Sequence, residues 1–183
     1  MHLIVVLFDI PESFDHVIFD LFWGYPRNKR DYLDASVLIY SGKKLAYIAD
    51  YRHKVFFNDA VCHSGDVIDD EKRQGHHTID VKLKSLPVEV DKLFFTLSAW
   101  NSPNISKYKD PRLRFFDARE PDVQLCRDQL QDAAQSQAVI MSSLSRIDGG
   151  WKVCRSLTLS AGNAKGYTPL QKTIGSRIAE GLY

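Results

Sequence analysis

The sequence predicts a mainly β protein: two antiparallel sheets stacked as a β-sandwich, closed by one short C-terminal helix. Three observations predict it. Apolar and polar residues alternate at a period of two in the clearest segments. Turn-forming glycines and prolines punctuate the chain at short intervals. An apolar stripe at helical spacing is clear only near the end. Many short strands and a single late helix are the pattern of an all-β sandwich.

The opening apolar run, residues 3–8, stops at Asp9 and has no basic lead-in. It is too short to span a bilayer and unlike a leader peptide, so it reads as a buried strand. Further strands are predicted over residues 17–23, 36–40, 44–48 and 54–57. Over residues 78–84, Ile79, Val81 and Leu83 face one way while Asp80, Lys82 and Lys84 face the other. Pro87 lies in the short connection that follows, where its missing N–H suits a turn. Residues 92–99 alternate again, with Leu93, Phe95, Leu97 and Ala99 inward. Phe94 breaks the alternation, which predicts that this strand is covered on both faces. Later strands fall over 112–117, 138–147 and 151–159, the last two joined at Asp148-Gly149-Gly150 by a tight hairpin. Residues 128–137 fit a turn or a short helix. The C-terminal helix starts at Thr168-Pro169, read as an N-cap followed by proline in the first turn. Leu170, Ile174 and Ile178 form its single apolar stripe.

The 183 residues fit one domain spanning 1–183, long enough to bury a core unaided. Lys and Arg number 24 against 23 Asp and Glu, a net charge of +1. That balance argues against bulk attraction to nucleic acid or to an anionic membrane surface. The densest basic cluster is Lys107, Lys109, Arg112 and Arg114, which on a strand edge reads first as a solvated face. Cys62, Cys126 and Cys154 show neither paired nor metal-ligand spacing, which suits a reducing, cytoplasmic setting.

Chemistry is sparse. His63, His76 and His77 beside Asp66 could suggest a transition-metal cluster. Neighbouring strand residues point to opposite faces, however, so His76 and His77 cannot both ligate, and loop histidines at a strand entrance are the favoured reading. Ser64 and Cys62 lie next to His63 but in no nucleophile signature. No phosphate-cradling glycine loop occurs. Trp23, Trp100 and Trp151 sit at strand ends and read as core or rim packing. The polar, turn-rich segment 100–108 is a candidate partner-contact loop.

An ordered set of short motifs adds to this reading. It runs Leu33-Asp34-Ala35-Ser36, Val55-Phe56-Phe57-Asn58 and His63-Ser64-Gly65-Asp66, then Val81-Lys82-Leu83 with Leu86-Pro87-Val88-Glu89-Val90-Asp91-Lys92. Asp148-Gly149-Gly150-Trp151-Lys152 and Gly166-Tyr167-Thr168-Pro169-Leu170 complete it. Across residues 17–175 the chain resembles the TerD-like tellurium-resistance family. The resemblance implies a β-sandwich that binds calcium through acidic loops at one end and serves in stress and tellurite resistance. Carried over residue by residue, it points to a Ca2+ site made of Asp31, Asp34, Asp66, Asp69, Asp70 and Glu71.

The match at that site is incomplete. The family's acidic residue before Leu-Asp-Ala-Ser falls on Tyr32, with Asp31 one position away. The aspartate ahead of the following strand falls on His53, and the asparagine after Gly-Asp falls on Val67. A later acidic cluster falls on Arg73-Gln74-Gly75-His76-His77. Calcium wants six to eight oxygens, and its affinity rises with carboxylate count, so the expected affinity is weak, on the order of millimolar, or lost. The function expected is a non-enzymatic stress-response or defence module that contacts protein partners or a small ligand. Two alternatives stand beside it: a cyclic-nucleotide or other small-ligand binder using the 107–114 cluster, and a metal-dependent hydrolase using the histidines.

Overall fold

The computed structural model describes residues 6–9, 15–125, 130–148 and 150–183. In chain order its strands are β1 (Val6–Asp9), β2 (His16–Gly24), β3 (Leu33–Ser41), β4 (Lys44–Ala49) and β5 (Val55–Phe56). There follow β6 (Val61–His63), β7 (Val67–Asp69), β8 (Gln74–Lys82), β9 (Lys92–Ala99) and β10 (Lys109–Asp117). Last come β11 (Glu120–Gln124), β12 (Ala138–Ile147) and β13 (Gly150–Ser160), then helix α1 (Thr168–Ala179). One sheet runs β1-β13-β12-β9-β3-β4; the other runs β11-β10-β2-β8-β6-β5, with β7 also on β8. The pairs are antiparallel, so the predicted two-layer sandwich is the fold.

Alternation puts Phe19 of β2, Phe95 of β9 and Phe115 of β10 into the space between the sheets. Their ring centroids lie 5.0 to 6.0 Å apart. Both faces of β9 are buried along its whole length, as Phe94 implied. The outer cover is α1, whose Leu170, Ile174 and Ile178 pack on Leu38, Tyr40, Phe94 and Ile140. Each such side chain contributes about 1.5–3 kcal/mol by leaving water, which holds this short helix against the sheet.

Several boundaries differ from expectation. β8 begins at Gln74, because the β2 ladder continues to the Gly24–Gln74 pair, and it ends at Lys82. Leu83–Ser85 is a 3-10 turn. β6, β7 and β11 are five residues or fewer, too short for a period of two to announce them. Only Val55–Phe56 of the expected 54–57 strand pairs, because Phe57, Asn58 and Asp59 all take left-handed backbone in the turn to β6. Leu130–Ala133 is a 3-10 turn; residues 126–129 and 1–5, and Gly149 of the predicted hairpin, lie outside the described residues. Thr168 is the first helical residue and not a cap: Tyr167 precedes it in helical conformation, with no side-chain capping bond. No helix among the described residues is long and apolar enough to cross a membrane.

Candidate metal centre

At one end of the sandwich β3 extends past β4, whose ladder starts only at Val37–Ala49. The backbone of Ala35 on that open edge therefore needs partners from elsewhere. Two imidazoles of the opposite sheet supply them. His77 Nδ1 accepts the Ala35 N–H at 3.1 Å, and the Ala35 carbonyl accepts from His63 Nε2 at 2.9 Å. His63 Nδ1 in turn accepts the Gly65 N–H at 2.8 Å. Because both Nδ1 atoms take backbone protons, both rings are neutral and carry hydrogen on Nε2. Burial drives both away from the charged form and pushes His63 down to about 4.

The proton on His77 Nε2 points at Asp66, 2.7 Å away. Asp34, next to Ala35 on β3, completes the group: one ligand atom from each of Asp34, Asp66 and His77 lies within 4.8 Å of the others. Asp34 is 2% exposed, and among the described residues its Oδ2 has no hydrogen-bond partner. Burial first, then the charges of Asp66, Asp50 and Asp31, push its carboxyl up to about 8. A buried carboxylate left without a donor is expensive, and a proton or a cation is what relieves it.

Asp50, which the sequence reading missed, joins the same pole. Its Oδ1 accepts the N–H groups of Arg52 and His53, and its Oδ2 accepts the Tyr167 hydroxyl at 3.1 Å. Tyr167 also meets Ser36 Oγ at 2.8 Å, which ties the start of α1 to β3. The signal for Asp50 was its place three residues before His53, the position where the resemblance sought an aspartate. Asp31 is near but fully engaged. Its Oδ1 accepts from the Tyr32 and Asn101 backbone and its Oδ2 from Ser102, so it braces the loop after β9.

The other three carboxylates are not brought into this group. Asp69 is held by Lys72 at 3.0 Å, and Asp70 by Arg30 and the Tyr25 hydroxyl. Glu71 lies exposed in the turn that joins β7 to β8. The histidines are likewise not loop residues: His63 and His77 are buried within strands, and His76 faces outward as the alternation required. Ser64 is a turn residue whose hydroxyl donates to Gly65 O and accepts the Thr78 N–H.

As a donor set, the cluster suits a hard cation better than zinc. Neither buried imidazole has a free lone pair, since each Nδ1 accepts a backbone proton and each Nε2 carries one. What remains is carboxylate oxygen from Asp34 and Asp66, with the orphaned Oδ2 already desolvated. Two carboxylates fit calcium only if carbonyls and water fill the shell, which places such a site at the weak end.

Comparison with known proteins gives a consistent picture. A family model described as the TerD domain matches residues 6–165. Tellurium resistance protein TerZ of Serratia marcescens is 29% identical over 92 residues, 50% of this chain and 47% of that protein. The match therefore spans about half the length of this relative. Among solved structures, a protein of unknown function, SAV2460, superposes with a TM-score of 0.75 at 14% identity, covering 90% of this chain and 98% of its own. A TerD homologue, SCO6318 from Streptomyces coelicolor A3(2), gives 0.74 at 12% identity, covering 88% and 98%. At such identities the likeness is one of fold.

Proposed function

The chain belongs to the TerD domain family, and from that premise we propose that it is a cytoplasmic stress-response module whose loop end orders around calcium. It acts by contact with protein partners and not by turnover. The observation that carries this reading is the buried, unpartnered Oδ2 of Asp34 beside Asp66. Asp34 and Asp66 would hold the ion, which would take the place of the proton that burial keeps on Asp34 and set positive charge beside the more exposed Asp66. His77 keeps Asp66 oriented through its Nε2–H. Ordering there reaches the surface through Tyr167 and Asp50, which link the pole to α1 and to the loop that follows β4.

Thermal melts in calcium test this. With a dissociation constant near 1 mM, about 10 mM calcium stabilises by about 1.4 kcal/mol and raises Tm by about 3–5 °C. Asp34→Asn and Asp66→Asn are each expected to abolish that rise. A shift that persists in both variants, or no shift in the wild type, overturns the calcium reading.

A further inference from the structure

The outer face of the second sheet carries a different kind of site. A cavity of about 400 Å³ opens at the ends of β2, β8 and β10, lined by Phe22, Tyr25, Lys72, Arg73, Lys109 and Arg112, among others. Its wall holds four cations against one carboxylate, Asp110, in a chain whose net charge is only +1. Lys72 is paired with Asp69. Among the described residues, no ion pair engages Arg73, Lys109 or Arg112.

The convergence is built by the backbone. Lys109 and Arg112 are three positions apart, so a regular strand would point them to opposite faces. A register shift in β10 sets Lys109 opposite Gly24 and Arg112 opposite Phe22. Gly24 and Phe22 share a face of β2, so the extra residue turns both cations to the same side, as bulges near sites do. Gly24 permits the close approach: a Cβ there would lie 2.9 Å from the Lys109 carbonyl oxygen. Arg73 comes from the turn that enters β8, with a positive φ of 53°, a conformation unfavourable for a long side chain. Its carbonyl accepts the Tyr25 N–H at 3.1 Å and fixes it against the end of β2. Phe22 is braced by His76, stacked at 3.9 Å, and the Arg112 guanidinium lies 5.7 Å from its ring centre.

We propose that this cavity binds a small organic phosphate of at least two negative charges, gripped by Arg73, Lys109 and Arg112. Two guanidinium forks and an ammonium match a multiply charged oxyanion. The volume of this open cleft exceeds what one phosphoryl group fills and leaves room for an organic body along Phe22 and Tyr25. The site uses none of the residues of the acidic pole, so it stands or falls apart from the calcium reading.

The test is calorimetric titration of the metal-free protein with inorganic pyrophosphate and with inorganic phosphate, and with citrate as a carboxylate control. Pyrophosphate is expected to bind at about 1 mM or tighter, more tightly than phosphate or citrate, and to weaken as salt rises. Arg112→Gln and Lys109→Gln, both exposed and expected to fold, should each weaken it about tenfold. Asp34→Asn should leave it unchanged. No heat of binding, equal affinity for citrate, or unchanged affinity in both glutamine variants overturns the proposal.

Discussion

His76 and His77 are consecutive on β8, yet each serves a different face of the second sheet. His77 points between the sheets, is fully buried, and exchanges hydrogen bonds with Ala35 and Asp66. His76 points outward, stacks on Phe22 and pairs with Asp20 beside the cationic cavity. The same side chain is a structural clip with a fixed tautomer on one face and a packing wall on the other. What separates them is burial: inside, every ring nitrogen must be satisfied by protein, whereas outside water can do it.

The sharpest way to break this comparison is to truncate each ring in turn. His77→Ala leaves the Ala35 N–H unsatisfied, removes the partner of Asp66 and opens a void beside Trp23, whose ring lies 4.8 Å from the imidazole. The expected loss is about 3 kcal/mol, or about 6–12 °C in Tm. His76→Ala gives up a partly exposed stack and one hydrogen bond to Asp20, which keeps the Thr78 hydroxyl, about 1 kcal/mol. Equal losses in denaturant melts would mean that His77 is not the clip its geometry describes.

Much of this arrangement was legible in the sequence, and the reasons divide by range. The full length of β9 followed from local alternation, and the α1 stripe from helical spacing. Asp34 and Asp66 could be paired in advance because a resemblance ordered their motifs, although no spacing rule links positions 32 residues apart. The clip on Ala35 was not legible: it exists because β3 overruns β4, a fact of sheet register that single-strand patterns do not encode. The bulge in β10 was hidden likewise, so the basic cluster read as a solvated face when two of its members converge on a cavity. Gly75 is a further case. A Cβ there would lie 2.1 Å from Trp23 Cζ2, so a glycine lost in a polar run is what lets the tryptophan lie flat.

A smaller effect separates the two kinds of buried group by their pH dependence. His63, neutral when folded and pushed down to about 4, takes up a proton only on unfolding. Its contribution is present above about pH 6.5 and lost as pH falls toward 4. Asp34, pushed up to about 8, keeps a proton that the unfolded chain releases near pH 4, so its contribution falls as pH rises from about 4 to 8. The two oppose each other on the acid side, and only Asp34 acts above about pH 6.5. Metal-free protein should therefore lose on the order of 1–2 kcal/mol between about pH 6.5 and 8, a few degrees in Tm. Asp34→Asn should flatten that decline and steepen the fall below pH 6.5. A wild-type Tm that climbs across the upper interval would contradict the burial argument for Asp34.

The smallest expected effect discriminates most finely between the two halves of the acidic set. Asp70 sits in the exposed turn before β8, where the Tyr25 hydroxyl and then Arg30 hold its carboxyl below the usual carboxylate range. Exposed ion pairs of this kind contribute little. Asp70→Asn should leave the melting temperature and the calcium-induced shift unchanged, while Asp34→Asn abolishes the shift. If Asp70→Asn instead diminishes the calcium response, the turn must fold back onto the pole when the ion binds. The site would then be the larger, six-carboxylate one that the sequence resemblance implied, with a correspondingly higher affinity.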